Sequence, residues 1–347
     1  EQAALARSAE HGLMQRAGLA TARLAIAIAP HSKTIWVAAG PGNNGGDGME
    51  AALHLHQWGK QVVVTWLGKL GTAPSDAAAA NQRATAAGVL FADTPPANWE
   101  LCIDALLGIG ATRPPAGLMA QWIDHMNGAP APILSVDMPT GLHADTGVAA
   151  AGAVCASATL CLLTLKPGLF TAEGRDHSTQ VWLDDLQVNA ASLLPELWPS
   201  AYLSGTPACG KRPHATHKGS YGSLAVVGGA TGMTGAALLA AMAAIHAGAG
   251  KVFLCPLDEH PLVLPADHAE LMLRDIATID PHAMTVVCGC GGGEAIRAQL
   301  PRLLSTAARL VLDADALNAL PTDAQLQKQL RARAARGLPS VLTPHPL

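Results

Sequence analysis

Along the first half of the chain, short apolar runs alternate with longer stretches in which apolar positions recur every three or four residues. The runs at 34–39, 61–67, 88–92, 101–105, 132–137 and 158–163 predict strands. Residues 2–29 predict one or two helices anchored by Leu5, Met14, Leu19, Leu24 and Ile28, and 49–58 predicts another, stopped by Gly59. Strand–helix alternation of this kind builds a parallel, doubly wound sheet. Between about 189 and 213 the pattern gives way to Pro, Ser, Gly and Ala, the composition of a linker. A second α/β alternation follows, with strands at 223–228, 251–256, 283–288, 309–313 and 339–343 and helices at 234–247, 297–304 and 323–336. Two α/β domains are therefore predicted, 1–205 and 206–347.

Ligands of such sheets bind at the carboxyl ends of the strands, and three polar clusters fall there in the first half. The densest is Gly40-Pro41-Gly42-Asn43-Asn44-Gly45-Gly46-Asp47-Gly48, with glycine at five of nine positions. These glycines are expected to allow positive φ and a close backbone approach, while the helix that follows presents unpaired N–H donors to an anionic or polyhydroxylated ligand. Asn43, Asn44 and Asp47 add side-chain oxygens able to accept hydrogen bonds or hold a hard cation. A plain βα turn would use some of the same residue types, but fewer of them. The other clusters are Asp104 to Gly110 and Asp137-Met138-Pro139-Thr140-Gly141. Asp137 is the leading general acid/base, with Asp47 and Lys166 as secondary candidates. The alternative readings are a turn aspartate before Pro139 and a solvated lysine at a strand end.

The chain has 347 residues, 50% of them hydrophobic and 14% charged, with a formal net charge of -4. That supplies ample core and gives no surface suited to nucleic acid or an anionic membrane. The seven cysteines lie mostly in apolar runs and read as buried free thiols of a reducing, cytoplasmic setting. Cys288-x-Cys290 lacks zinc spacing, and His54 and His56 point to different helix faces. The uncharged stretch 148–165 is rich in Ala, Gly, Ser and Thr and reads as sheet rather than membrane span.

Taken together, Gly40–Gly48, Asp104-Ala105-Leu106-Leu107-Gly108, the run from Ser135 to Gly147 and Lys166-Pro167-Gly168 resemble the NAD(P)H-hydrate epimerase, or YjeF N-terminal, domain, which has a Rossmann-like fold. His217-Lys218-Gly219-Ser220-Tyr221-Gly222, Gly232 to Ala237, Leu312 to Asn318 and Thr343-Pro344-His345-Pro346 resemble the ADP-dependent NAD(P)H-hydrate dehydratase of the ribokinase-like fold. In tandem they are similar to the bifunctional nicotinamide nucleotide repair family.

The resemblance implies a small-molecule substrate, NADHX or NADPHX, whose nicotinamide ring has taken up water. The epimerase interconverts its R and S forms, and the dehydratase removes the water from the S form. By motif match the hydrate lies along Asn43, Asn44, Gly45, Gly46 and Asp47 and along Gly108, Ile109, Gly110, Ala111, Thr112, Arg113 and Pro114, and touches Asp137. A potassium ion is implied at Asn44, Asp104 and Thr140, the last standing where the family often has serine. Pro114 and Pro115 stiffen the 108–115 loop. In the second half Ala236, Gly291 and His345 match hydrate contacts, and ADP or ATP with magnesium is the implied phosphate donor. The glutamate and the Asn-x-Gly-Ser-Gly-Asp loop of that family are not in the sequence, so the ribokinase-like half is expected to be incomplete at its C-terminus. Its strand 339–343 would leave an uncovered edge, which favours a homo-oligomer. The competing functions are a ribokinase-like small-molecule kinase and a non-catalytic scaffold that keeps the cleft.

Overall fold

A computed structural model of the chain describes residues 11–111, 113–188, 199–206, 210–258, 260, 264 and 268–345. The chain forms two compact units, Glu1–Gly205 and Thr206–Leu347. In the first, the described residues build a seven-stranded sheet from β1 (Thr34–Ala39), β2 (Gln61–Trp66), β3 (Leu90–Ala92), β4 (Leu101–Ala105), β5 (Ile133–Val136), β6 (Ala158–Leu162) and β7 (Gln180–Asp184). Its order is β3-β2-β1-β4-β5-β6-β7, with every pairing parallel. The chain winds one way from β1 and the other way from β4, so the crevice of a doubly wound sheet opens between the ends of those two strands. β1, β4, β5 and β6 are buried on both faces almost throughout, which is why they read as continuous apolar runs.

Helices α1 (Gly12–Ile28), α2 (Asn43–Gln57) and α3 (Ser75–Ala86) share one apolar core with the sheet, in which Leu13, Met14, Ala17, Met49, Leu55, Ala77 and Ala80 are buried. Helix α4 (Leu118–Asn127) packs Trp122, Ile123 and Met126 into a second cluster around Trp36.

Several boundaries differ from the sequence expectation. Helix α2 begins at Asn43, not near Met49, so half of the glycine stretch is its first turn. β5 stops at Val136 and β6 at Leu162 because Asp137 and Leu163 take left-handed backbone, φ +67° and +64°. β7 was not anticipated; it is a short edge strand whose Trp182 and Leu183 stay half exposed, so it lacks the burial that marks its neighbours.

The second unit has a six-stranded parallel sheet among its described residues, ordered β10-β9-β8-β11-β12-β13. Its strands are β8 (Ser223–Gly228), β9 (Lys251–Pro256), β10 (Met272–Leu273), β11 (Thr285–Cys288), β12 (Arg309–Asp313) and β13 (Ser340–Thr343), with α5 (Thr234–His246) after β8. The predicted helix 297–304 is split into a 3-10 turn, Glu294–Ala298, and a helix, Leu300–Thr306, because Pro301 lacks the N–H that a continuous helix would need. β13 is an edge strand with Val341 and Leu342 about half exposed. The buried Arg333 ties it down, donating to Ser340 Oγ, to the Pro339 carbonyl and to the carbonyls of Leu304 and Ala307.

No helix among the described residues is long and apolar enough to cross a membrane. Of the cysteines placed in the structure, Cys102, Cys161, Cys255 and Cys288 are buried, but Cys155 is exposed, against the expectation of buried thiols; Cys209 lies outside the described residues.

Candidate active site

In the first unit a cavity of about 740 Å³ opens at the carboxyl ends of the strands, within the size range of small-molecule sites. The first turn of α2 forms one wall. Its N-cap is Gly42, which has no side chain to satisfy the leading N–H groups, and the first intrahelical bond runs from Gly46 N to the Gly42 carbonyl. The donors before it are left for a ligand.

Four glycines of this stretch, Gly40, Gly45, Gly46 and Gly48, act through space rather than through φ. None of Gly40, Gly42, Gly45, Gly46 and Gly48 has positive φ, contrary to expectation. A Cβ on Gly45 would run into the Gly40 carbonyl, one on Gly46 would lie 2.5 Å from Met14 Cε and 3.0 Å from Ala77 Cα, and one on Gly48 would strike Ala105. Bare backbone is what lets α2 sit down on the sheet beneath α1 and α3.

Facing that turn are Asp137 and Lys166, which form an ion pair, each side chain only 12% exposed. They are 29 residues apart in sequence and meet because β5 and β6 are neighbours. Asp137 Oδ1 also accepts from the Leu162 N–H at 3.3 Å, and Lys166 Nζ donates to the Leu162 carbonyl at 2.7 Å. Asp137 Oδ2 and Asn44 Oδ1 each stand 3.4 Å from where a Cβ on Gly108 would be, so the missing side chain at 108 keeps a gap between amide and carboxylate. Asn44 Nδ2 is buried without a hydrogen-bond partner, an orphan that a ligand oxygen would satisfy.

Below the cavity floor lies Asp104, fully buried. It accepts from Ser135 Oγ at 2.8 Å, Thr140 Oγ1 at 2.7 Å, Thr140 N at 2.9 Å and Leu106 N at 3.3 Å. Burial pushes its carboxyl up from the ordinary value, against those hydrogen bonds. All four donors are neutral, and among the described residues no ion pair involves Asp104. A buried carboxylate without a counter-charge, beside the Thr140 hydroxyl oxygen, is chemistry that a monovalent cation fits.

The cavity thus brings together Asn43, Asn44, Asp47, Gly108, Ile109, Gly110, Ala111, Asp137 and Lys166. Gly45 and Gly46 are buried behind it, Asp104 and Thr140 lie in the layer beneath, and Arg113 and Pro114 are exposed outside its lining. Thr112 falls outside the described residues. Sequence reasoning missed the apolar part of the lining: Leu13, Met14 and Ala17 of α1, Leu163, and Leu186 and Val188 after β7. The i, i+4 pair Leu13 and Ala17 marked an apolar helix face, but nothing in the spacing said that this face meets a ligand.

In the second unit Ala236 lies in the first turn of α5, and Gly291, φ +58°, sits against it: a Cβ at 291 would be 3.0 Å from Ala236 Cβ and 2.8 Å from the Met233 carbonyl. Asp315 accepts from Gly293 N at 2.8 Å and Asp313 from Thr343 Oγ1 at 2.7 Å, which gathers the ends of β11, β12 and β13 into one polar cluster. Burial, reinforced by the Asp313 side chain, pushes the Cys290 thiol up to about 12. His345 is exposed just beyond β13.

Residues 10–168 match the family of YjeF-related protein N-termini, and residues 224–347 match the family of NAD(P)H-hydrate dehydratases. Across the whole chain, a bifunctional NAD(P)H-hydrate repair enzyme of Leishmania major is 33% identical, the match covering 96% of this chain and 67% of that protein. The chain belongs to the bifunctional NAD(P)H-hydrate repair enzymes. Other members of the family include those of Escherichia coli K12, 32% identical over 96% of this chain and 65% of theirs, and of Coxiella burnetii, 31% identical over 97% and 70%. The chain therefore spans about two thirds of the length of these repair enzymes. The two family matches fall one in each unit, the first carrying the Asp137–Lys166 pair and the second the Ala236–Gly291 contact.

Proposed function

We propose that the first unit epimerises the hydrates of NADH and NADPH in the cavity above β1, β4, β5 and β6, and that the second unit belongs to the dehydratase that returns the S hydrate to the reduced nucleotide. The observation that carries the first part is the Asp137–Lys166 pair, nearly buried and facing an uncapped helix start. Unpaired N–H groups of α2 suit the pyrophosphate, which places the ring of the hydrate near Asn44, Gly108 and Asp137. Carbon six of that ring bears the added hydroxyl and is bonded to the ring nitrogen. Inverting it requires the bond from that carbon to the ring nitrogen to break as the hydroxyl gives up its proton and becomes a carbonyl, and to re-form on the other face of that carbonyl as the proton returns to the oxygen. Asp137, ionised beside Lys166, is the group that takes that proton and gives it back. Lys166 holds it in orientation, and the apolar wall from α1 keeps water away. Asp47, also in the lining, is within the same wall and serves substrate binding.

Potassium, held by Asn44, Asp104 and Thr140, would supply the counter-charge that Asp104 lacks and fix the 106–108 loop that carries Gly108. In the second unit Ala236 and Gly291 suit the acceptor side of a phosphoryl-transfer cleft, with ADP or ATP and magnesium as donor. Asn43, Asn44, Asp47, Asp104 and Asp137 together argue against a scaffold that has lost its chemistry, and the match to dehydratases argues against a kinase of another substrate. A cytoplasmic setting fits the free thiols.

Calorimetric titration with NADHX, in potassium and in choline buffers, tests the site. Saturable binding that strengthens with potassium is expected. No binding in either buffer would remove the cavity as the hydrate site.

A further inference from the structure

Strands β5 and β6 end in the same unusual way. At Asp137, φ +67°, the Met138 N–H bonds back to the Val136 carbonyl at 2.8 Å; at Leu163, φ +64°, the Thr164 N–H bonds back to the Leu162 carbonyl at 2.7 Å. Each is a γ-turn at positive φ, a strained conformation for a residue with a side chain. Glycine would adopt either turn without strain. Asp137 has an evident reason to carry a side chain. Leu163 has no reactive group, so its strain calls for another explanation.

The turn at Leu163 sets the orientation of one residue, Leu162, that touches both members of the ion pair. The Leu162 N–H donates to Asp137 Oδ1 at 3.3 Å, and its carbonyl accepts from Lys166 Nζ at 2.7 Å. The Leu163 N–H is tied at 2.8 Å to the Asp184 carbonyl at the end of β7. The Leu163 side chain packs, half-buried, against the core that holds Leu13, Met14 and Ala17 of α1. The backbone is thus pinned on one side and the side chain on the other, with the catalytic pair hanging from the peptide between.

We propose that Leu163 is a positioning residue for the Asp137–Lys166 pair: its side chain, anchored in the apolar core beneath α1, holds the left-handed turn that aims the Leu162 carbonyl at Lys166. This rests on the pair's proposed role in epimerisation, yet the geometry has a readout independent of activity. In the free turn, without the anchor, Lys166 would leave Asp137 part of the time and its amine would become reactive.

The experiment compares Leu163→Gly, which accepts the backbone but removes the anchor, with Leu163→Met, which keeps an apolar anchor of similar volume. Two quantities are read in the full chain: R-to-S turnover, and the acetylation rate of each lysine by acetic anhydride and mass spectrometry. Leu163→Gly should lower kcat about ten- to hundredfold, and because Leu163 also lines the cavity, the labelling of Lys166 rather than KM is what separates lost positioning from lost binding. Lys166 should acetylate several times faster while the other lysines do not change. Leu163→Met should restore both quantities. Wild-type kcat and wild-type Lys166 labelling in Leu163→Gly would overturn the proposal, as would a Leu163→Met protein as impaired as Leu163→Gly. Should Leu163→Gly not fold, Leu163→Ala carries the same comparison, because it removes most of the anchor while keeping a Cβ on the turn. If the wild-type chain labels as expected but does not epimerise, the assigned reaction falls while the positioning claim is still decided by the labelling.

Discussion

Replacing Asp137 with asparagine separates chemistry from architecture. Asparagine keeps the shape of the side chain and an oxygen for the Leu162 N–H and for Lys166, the two partners of Asp137 Oδ1. It replaces the second oxygen, which faces Gly108 and Asn44, with an amide nitrogen that cannot accept a proton. Binding of the hydrate should therefore change little, while general acid/base help disappears. That help is worth about two to four decades of rate, or roughly 2.7–5.4 kcal/mol of barrier. A second cost falls on the fold, because Lys166 loses its counter-charge at a site where its side chain is 12% exposed. With some solvent access remaining, this should be about 1–3 kcal/mol, below the range for a fully buried pair. Urea denaturation measures the second effect and steady-state kinetics the first. An Asp137→Asn enzyme with kcat within about threefold of wild type would refute the reasoning, since general acid/base catalysis contributes far more than that.

Other outcomes follow from the same geometry. Asp104→Asn removes the buried charge that potassium would balance, so the rise in melting temperature on exchanging choline for potassium should vanish in the variant; an undiminished rise would place the ion elsewhere. Gly46→Val should destabilise the first unit by about 1–3 kcal/mol in urea, because even a Cβ meets Met14 and Ala77, and only the methionine end can give way. Arg333→Met should cost the second unit about 3 kcal/mol, measured by denaturation of the full chain, because the Ala307 and Pro339 carbonyls lose a buried donor. With its thiol pushed up to about 12, Cys290 should be almost entirely protonated at pH 8 and react with iodoacetamide far more slowly than the exposed Cys155. Its alkylation should rise with pH above 8; equal rates at pH 8, followed by mass spectrometry, would contradict a thiol held up by partial burial and Asp313.

The parallel sheets were legible because their central strands, β1 and β4 above all, are buried on both faces and so carry unbroken apolar runs. The glycine stretch was legible as a ligand site from its composition, but the reason for each glycine was not. Sequence suggested left-handed backbone, and the structure shows packing too close for a Cβ at Gly40, Gly45, Gly46 and Gly48. Positive φ is found instead at residues with side chains, Asp137 and Leu163 among them, and for Leu163 nothing in the residue type announces the conformation. Asp137 and Lys166 could each be nominated from the ends of apolar runs. That they touch depends on β5 and β6 being neighbours and on both strands ending in γ-turns, which is tertiary information. The roof from α1 was hidden for a similar reason: Leu13 and Ala17 look like any core-facing pair until the helix is placed over the cavity. β7 was missed because an exposed edge strand of five residues carries too weak a pattern.

The most direct test of the account gives the chain pure R hydrate of NADH in potassium buffer and follows the S hydrate by chromatography, beside a sample without protein and one with Asp137→Asn. The account predicts that the wild-type chain brings the two forms to equilibrium well ahead of the spontaneous reaction, and that Asp137→Asn trails it by about two to four decades. A wild-type chain that is no faster than buffer, under conditions where calorimetry shows the hydrate bound, would contradict it.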